Sequence, residues 1–382
     1  MRIGLVVPGF SAHDTDWCIP ALRDFVAQLA LEDEVWVVAL RYPPGASSYS
    51  VFGATVQALG GGTKRRAPAA LLWAEAFAAL ARTHRARPFD VLHAFWADEA
   101  GSIAAAAGRI LGVPTVVSIA GGELVGFRDI KYGGQLTVGN RFKIDLALRL
   151  ARAVTGGSRY VLELAAPRLA DHPASRVRRL PLGIDVRRFT SAVRREFRPI
   201  DHRPRFVHAA SLVPVKDQRA LIRAAKRLED EGLEFSLDIA GDGPLRGSLQ
   251  TTIDALRLSA SVRLVGPLPH DALPEFYHGA TAMVLTSRHE AQCLAVLEAA
   301  AMGTPVVGTA VGVVPELAPS SGRMVGVGND QTIAAEMAML GSDSALVAEL
   351  ALAAEDTVDR SFRLDRCTDA FRELYRELAP RA

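Results

Sequence analysis

Two carboxylates stand eight positions apart in the stretch RHEAQCLAVLEAAAMGTPVVGT, residues 288–309: Glu290 and Glu298. Glu298 lies inside an otherwise apolar run, Cys293 to Met302, built of good helix formers. The run stops at Gly303 with Pro305 just beyond, so it reads as a helix, and TPVVGT as the buried strand that follows. A carboxylate near a core-facing surface is costly unless it is hydrogen-bonded, protonated or turned toward a cleft. Glu290 precedes the helix, in the loop after the apolar strand AMVLTS, residues 282–287. Strand end, loop and helix N-terminus together make the ligand-binding edge of an open α/β sheet, where unpaired N–H groups and the helix dipole favour phosphate. The arrangement suits a phosphorylated, hydroxyl-rich ligand. Spacing alone leaves an equal alternative, with Glu298 reaching solvent along the helix and Glu290 serving as a helix-start acid.

The elements that position these acids repeat one plan twice. Short apolar runs RIGLVVP, EVWVVAL, DVLHAFW, PTVVSIAG and AVTGGS alternate with helical segments Trp17 to Ala30, Ala69 to Arg85 and Glu99 to Leu111. The second half repeats the alternation with RFVHAAS, FSLDIAG, SVRLVGP, AMVLTS and TPVVGTA. Alternation of this kind predicts parallel sheets wrapped by helices, hence an α/β chain of two Rossmann-like domains. We expect an N-terminal domain over residues 1–184, a linker over 185–204 rich in Arg and Pro, a C-terminal domain over 205–360, and a C-terminal helix over 361–382 that packs back on the N-terminal domain. His93 and His208 fall in strand-like runs and read as core histidines, and Trp73, Phe77 and Leu80 share a helical face that reads as core. The GGGTKRR stretch, residues 60–66, lacks the spacing of a phosphate loop and reads as a surface loop.

Composition narrows the function classes. Lys plus Arg at 44 against Asp plus Glu at 42 leaves a net charge of +2, which gives no reason to expect nucleic-acid binding. Cys18, Cys293 and Cys367 are too far apart for a zinc pattern or a disulfide framework. The N-terminus opens directly on a strand and no apolar run approaches the roughly 20 residues of a membrane span. A cytoplasmic protein is expected, with peripheral contact at the inner face of a membrane open to it through the basic linker.

An ordered set of motifs then resembles a known family. SLVPVKDQ (211–218), AGDGP (240–244), VGPLPHDALPEFYHGA (265–280), the Glu290-to-Glu298 segment and GTPVVGTAVGVVPE together resemble the retaining GT-B glycosyltransferases of family four. VPGFS, DVLHAFW, VTGGSRY and PLGID extend the likeness through the first half. The resemblance implies a GT-B fold, two Rossmann-like domains facing each other across a cleft, and transfer of a sugar from a nucleoside-diphosphate sugar to an acceptor. The donor would carry UDP, GDP, ADP or dTDP, and the acceptor would be a carbohydrate, a lipid or a small molecule. No cofactor and no metal are implied.

By the same resemblance Lys216 is a mobile cation for the diphosphate and Glu290 contacts the donor sugar near its reacting carbon. Backbone N–H groups of Cys293, Leu294 and Ala295 add to the charge stabilisation, and Glu298 accepts the two ribose hydroxyls. Gly9, Phe10, Ser211, Gly241, Asp242 and Leu268 complete the donor side, while His13, Asp14, Asp16 and Glu123 are candidate acceptor contacts. Two positions depart from the family pattern: Ser211 stands where an arginine is usual, and Ala120 where a histidine is usual. Another GT-B reaction, as in a sugar-nucleotide epimerase or a phosphorylase, and a nucleotide-binding protein that has lost catalysis are the rival readings.

Overall fold

Valine- and isoleucine-rich runs in the first half form β1 (Arg2–Gly9), β2 (Glu34–Tyr42), β5 (Val91–Phe95), β6 (Thr115–Ile119) and β7 (Ala153–Gly156), joined at the rims by β3 (Ala46–Val51), β4 (Ala54–Leu59) and β8 (Val177–Arg179). Their order is β3-β4-β2-β1-β5-β6-β7-β8, parallel throughout except for the antiparallel edge pair β3 and β4. The helices of this sheet are α1 (Pro20–Leu29), α2 (Ala69–Ala86), α3 (Glu99–Leu111), α4 (Val138–Leu150) and α5 (Arg159–Ala165). The computed structural model describes residues 1–62, 69–189 and 203–379, and it divides into one unit of residues 1–183 with 364–382 and a second of residues 184–363.

The second unit has α6 (Gln218–Asp230), α7 (Arg246–Ala255), α8 (Leu273–Tyr277), α9 (Leu294–Ala301), α10 (Val314–Leu317), α11 (Asp330–Ser342) and α12 (Ser344–Ser361) around a parallel sheet. Its strands are β9 (Arg205–Ala209), β10 (Ser236–Ala240), β11 (Val262–Gly266), β12 (Ala282–Leu285), β13 (Val306–Thr309) and β14 (Gly322–Val325), in the order β11-β10-β9-β12-β13-β14. Strand order reverses at β9, whose neighbours β10 and β12 lead to opposite sides. The carboxyl ends of β9 and β12 thus lie at the switch point where open α/β sheets bind ligands.

Four strands carry no assignment from the sequence. In β3 and β4 the connecting pair Phe52-Gly53 has φ of 50° and 77°, the two positive angles of a tight hairpin turn, but Phe-Gly lacks the asparagine that usually announces one. The mostly exposed β3 also offers no buried alternation to read. Strands β8 and β14 are three and four residues long, too short for a periodic signal. Residues 190–202 of the expected linker and 63–66 of the glycine-rich loop lie outside the described residues, and residues 184–189 belong to the second unit.

The last helix, α13 (Leu364–Leu378), packs on α1 in the first unit. Arg372, 2% exposed, fastens it: Nε donates to Asp33, Nη1 to Glu32 and Asp369, and Nη2 to the carbonyls of Gln28 and Leu29. All five guanidinium donors are thus used, two of them on carbonyls in the last turn of α1, which is why a buried arginine is tolerated there. Beneath it, Tyr375 Oη lies 2.6 Å from His93 Nδ1, and His93 Nε2 lies 2.7 Å from Ser118 Oγ. Trp73 and Phe77 pack partly buried against the core that takes Leu80 fully.

Each unit holds a fully buried histidine whose titration is displaced, His93 in the first and His208 in the second. Burial lowers His93 to about 3 and His208 to about 4, from an ordinary 6.5. Both native rings are neutral, whereas the unfolded chain takes up protons on them below about pH 6.5, so this contribution is fully present above that pH. It is lost as pH falls from about 6.5 toward 4 for His208 and toward 3 for His93, at up to about 1.4 kcal/mol per histidine per pH unit. Urea titrations across this range should show the loss, and His93→Gln should flatten it for the first unit; an unchanged pH slope in that variant would sink the assignment.

Candidate functional site

The candidate site is built by three loops at the carboxyl edge of the second sheet. After β9 the chain makes a short 3₁₀ turn, Pro214–Lys216, and Asp217, at φ 45°, caps α6 by accepting from the Ala220 N–H. That turn is tied to the loop after β12 twice, by Thr286 Oγ1 donating to the Lys216 carbonyl at 2.8 Å and by the Arg288 N–H donating to the Val215 carbonyl at 2.7 Å. Thr309 Oγ1 at the end of β13 holds the Ser287 carbonyl at 2.7 Å. The consequence is a fixed meeting of Lys216 Nζ and Glu290 Oε1 at 2.5 Å, with Ser287 Oγ donating to the same oxygen at 2.6 Å. Lys216 and Glu290 are both largely but not fully covered, so the pair is charge-assisted and still within reach of solvent.

Glu298 lies in the middle of α9, 8% exposed, and is held from the loop after β11. His270 Nε2 is 3.0 Å from its Oε1, and Tyr277 Oη donates to its Oε2 at 3.2 Å. Burial and the adjacent carboxylate push the Tyr277 phenol well above its ordinary value, so it donates as a neutral group. The carboxylate placed in an apolar run is thereby partnered, with one donor on each oxygen and lone-pair capacity left on both. Sequence reasoning named Leu268 from this region, quoted His270 and Tyr277 only inside the VGPLPHDALPEFYHGA motif, and gave no role to Thr286 or Ser287.

Cys293 begins α9 at φ 75°, in the left-handed region, next to Leu294 and Ala295 of the first turn. Burial and the Glu290 charge push its thiol up, against the pull of Lys216. Gly241 and Gly243, at φ 132° and 156°, let the loop after β10 pass so close to the loop after β9 that a Cβ on Gly241 would sit 1.9 Å from the Ala210 carbonyl. Asp242 is exposed, and its carbonyl accepts from the Leu212 N–H. Ser211 is exposed too, and its carbonyl accepts from Gln218, whose amide also faces His208.

In the first unit the expected site residues differ in exposure and in the bonds they make. Gly9 ends β1 against Tyr42, where a Cβ would come within 2.9 Å of the tyrosine Cβ. The Phe10 ring is 1% exposed and packs edge-on to Phe52, so its side chain is core and is not presented to a donor. Glu123 is buried and accepts main-chain N–H groups of Ala97, Ala120 and Gly121. Desolvation raises its pKa and those bonds pull it back, and the carboxylate serves to clamp loops, which removes it from the acceptor contacts expected of it. His13 and Asp14 are exposed in the loop after β1, and Asp16 turns back to accept from the Ala12 N–H at 2.7 Å. Among the described residues no three His, Cys, Asp or Glu converge on a metal position, although Asp14 and Asp16 have the Asp-x-Asp spacing.

Two family models match the chain, one described as glycosyl transferases group 1 over residues 190–356 and one as a glycosyl transferase 4-like domain over residues 20–183. The chain belongs to the group 1 glycosyl transferases. This group 1 chain is 32% identical over 213 residues to alpha-D-kanosaminyltransferase of Streptomyces kanamyceticus, covering 52% of the chain and 53% of that protein. It is 33% identical over 178 residues to the GDP-mannose-dependent alpha-(1-6)-phosphatidylinositol monomannoside mannosyltransferase of Mycolicibacterium smegmatis, covering 44% and 46%. The matches span about half the length of these curated relatives. Among solved structures, sucrose-phosphate synthase from Thermosynechococcus elongatus aligns at a TM-score of 0.80 with 18% identity, covering 99% of both chains. HepE of Anabaena in complex with UDP-glucose aligns at 0.76 with 18% identity, covering 99% and 100%. The shared fold is GT-B, two Rossmann-like sheets of eight and six strands.

The site's backbone yields a paired prediction for this group 1 chain. Cys293→Gly relieves a left-handed non-glycine residue and should raise stability by about 1 kcal/mol, while Gly241→Ala drives a Cβ into a carbonyl and should cost about 3 kcal/mol or more. Thermal melts of the two variants beside wild type check both signs; a destabilised Cys293→Gly would mean that the thiol contributes more than the backbone conformation costs.

Proposed function

We propose that the chain is a retaining, metal-independent glycosyltransferase of hexosyltransferase type that uses a nucleoside-diphosphate sugar. The observation that carries this reading is the Lys216–Glu290 pair at the ends of neighbouring strands, one short helix away from the half-satisfied carboxylate of Glu298. Family membership supports it, as do one relative whose name specifies GDP-mannose and a structure holding UDP-glucose. In the proposed reaction the acceptor hydroxyl oxygen bonds to the anomeric carbon on the face the leaving group departs from. The bond from that carbon to the phosphate oxygen breaks, and the hydroxyl proton passes to the departing phosphate, so no separate base is required. Lys216 and the N–H groups that open α9 at Cys293, Leu294 and Ala295 stabilise the diphosphate charge. Glu290 contacts donor hydroxyls and offsets positive charge at the anomeric carbon. Glu298 accepts the ribose hydroxyls, and the loop turn at Gly241 and Asp242 lines the nucleotide side with Leu268.

The acceptor is assigned to the first unit, where His13 and Asp14 are exposed at the carboxyl edge of its sheet. The same unit carries Val138 and Phe142, 72% and 67% exposed, one turn apart on α4 with Arg141 between them. An apolar pair beside a cation supports peripheral contact with an anionic membrane, where a lipid-linked acceptor would reside.

Thermal melts with UDP, GDP, ADP and dTDP should single out one nucleotide that raises the melting temperature. Glu298→Ala should lose that shift, and Lys216→Ala should lower turnover with the matching sugar nucleotide about 100-fold. Product analysis by NMR should find a new glycoside with the donor's anomeric configuration; an epimerised sugar nucleotide, or no shift with any nucleotide at millimolar concentration, would overturn the transferase reading. Sedimentation with phosphatidylglycerol vesicles should be reduced by Phe142→Asp, and equal recovery of the two proteins would remove the membrane contact.

A further inference from the structure

Glu298 is embedded in a chain of side chains that leads away from the site. Its Oε1 meets His270 Nε2 at 3.0 Å, and on the far side of the same ring Arg188 Nη1 lies 3.2 Å from His270 Nδ1. A guanidinium can only donate, so Nδ1 must be the accepting nitrogen and the ring proton must sit on Nε2, aimed at the carboxylate. The tautomer is thus set by geometry. Phe189 stands edge-on to the ring with centroids 5.4 Å apart, and the Arg188 and Phe189 N–H groups both return to the Asp185 carbonyl, closing a tight turn. Arg188 Nε also lies 3.6 Å from Asp271. His270 itself is 9% exposed and Tyr277 is fully buried, so neither donor can swing freely.

We infer that His270 is a positioning residue for Glu298, and that the turn at residues 185–189 sets nucleotide affinity through the chain Arg188 to His270 to Glu298. The inference rests on the reading of Glu298 as a ribose ligand and adds to it what orients the carboxylate. With Oε1 fixed by His270 and Oε2 by Tyr277, the plane of the carboxylate is determined, and the remaining lone pairs can meet two adjacent hydroxyls together. Without His270 the carboxylate loses its fixed plane and the pairing becomes one-sided. The ligand class is a ribonucleotide, distinguished from its 2′-deoxy counterpart by one of the two hydroxyls that Glu298 would accept.

The test is a ratio, the dissociation constant of the 2′-deoxynucleoside diphosphate over that of the ribonucleoside diphosphate, measured by calorimetry on the full chain with the nucleotide that binds best among UDP, GDP and ADP. Wild type should prefer the ribonucleotide by at least about tenfold, and Glu298→Ala should bring the ratio close to one. His270→Phe keeps an aromatic ring against Phe189 but has no N–H, and it should collapse the ratio as Glu298→Ala does. His270→Gln offers one acceptor and one donor and should restore most of it. Arg188→Ala should lower the ratio part-way. A purely structural role would weaken both nucleotides alike and leave the ratio intact. If His270→Phe keeps the wild-type ratio while Glu298→Ala loses it, the positioning role is overturned and the ribose reading stands; if Glu298→Ala keeps the ratio, both fall together.

Discussion

Strands β9 and β12 lie side by side although some seventy residues separate them along the chain, and the bond from Thr286 Oγ1 to the Lys216 carbonyl locks the loops that leave them. The site depends on that adjacency. A lysine approaching a glutamate at 2.5 Å in a partly covered crevice must be held by its backbone, because long flexible side chains lose rotamer freedom when confined to one geometry. Here the restraint comes from main-chain bonds, with Arg288 to Val215 and Thr309 to Ser287 completing it. The strand reversal at β9 brings the loops together, and these bonds hold them.

The buried polar groups that fasten the scaffold are more fully hydrogen-bonded than the carboxylate of Glu298. Arg372 uses all five donors to hold α13 on α1, His93 bridges Tyr375 and Ser118, and Glu123 gathers three main-chain N–H groups from two loops. Such groups have little capacity left for a ligand. Glu298 differs in kind: its two partners occupy one position on each oxygen and leave the others available. Completeness of hydrogen bonding therefore distinguishes Glu298 from Glu123, although both are carboxylates with less than a tenth of their surface exposed.

Backbone conformation adds a second constraint at the same place. Cys293 adopts a left-handed angle at the start of α9, and Gly241 and Gly243 allow two loops to pass at a distance no side chain would permit. Strain of this kind persists only where surrounding bonds over-determine it, as the tied loops do here. The first unit shows no comparable gathering of its expected residues: Phe10 turns into the core, Glu123 clamps loops, and His13 and Asp14 stay exposed.

Much of this was legible in the amino-acid order. Short runs rich in valine and isoleucine announce themselves as strands, and a helix ended by Gly303 and the spacing of Glu290 and Glu298 are read as directly, because local propensity and periodicity act within a few residues. Short or edge elements such as β3, β8 and β14 did not, since three or four residues carry no period and an exposed edge carries no alternation. The sequence by itself determined the α/β class, the doubled plan and which acids stand in apolar surroundings. Only the tertiary structure decided that Lys216 meets Glu290, that His270 and Tyr277 hold Glu298, and that Phe10 and Glu123 are turned to the scaffold. Those pairings join residues tens of positions apart, and which of them form depends on strand order and loop direction, which no local pattern encodes.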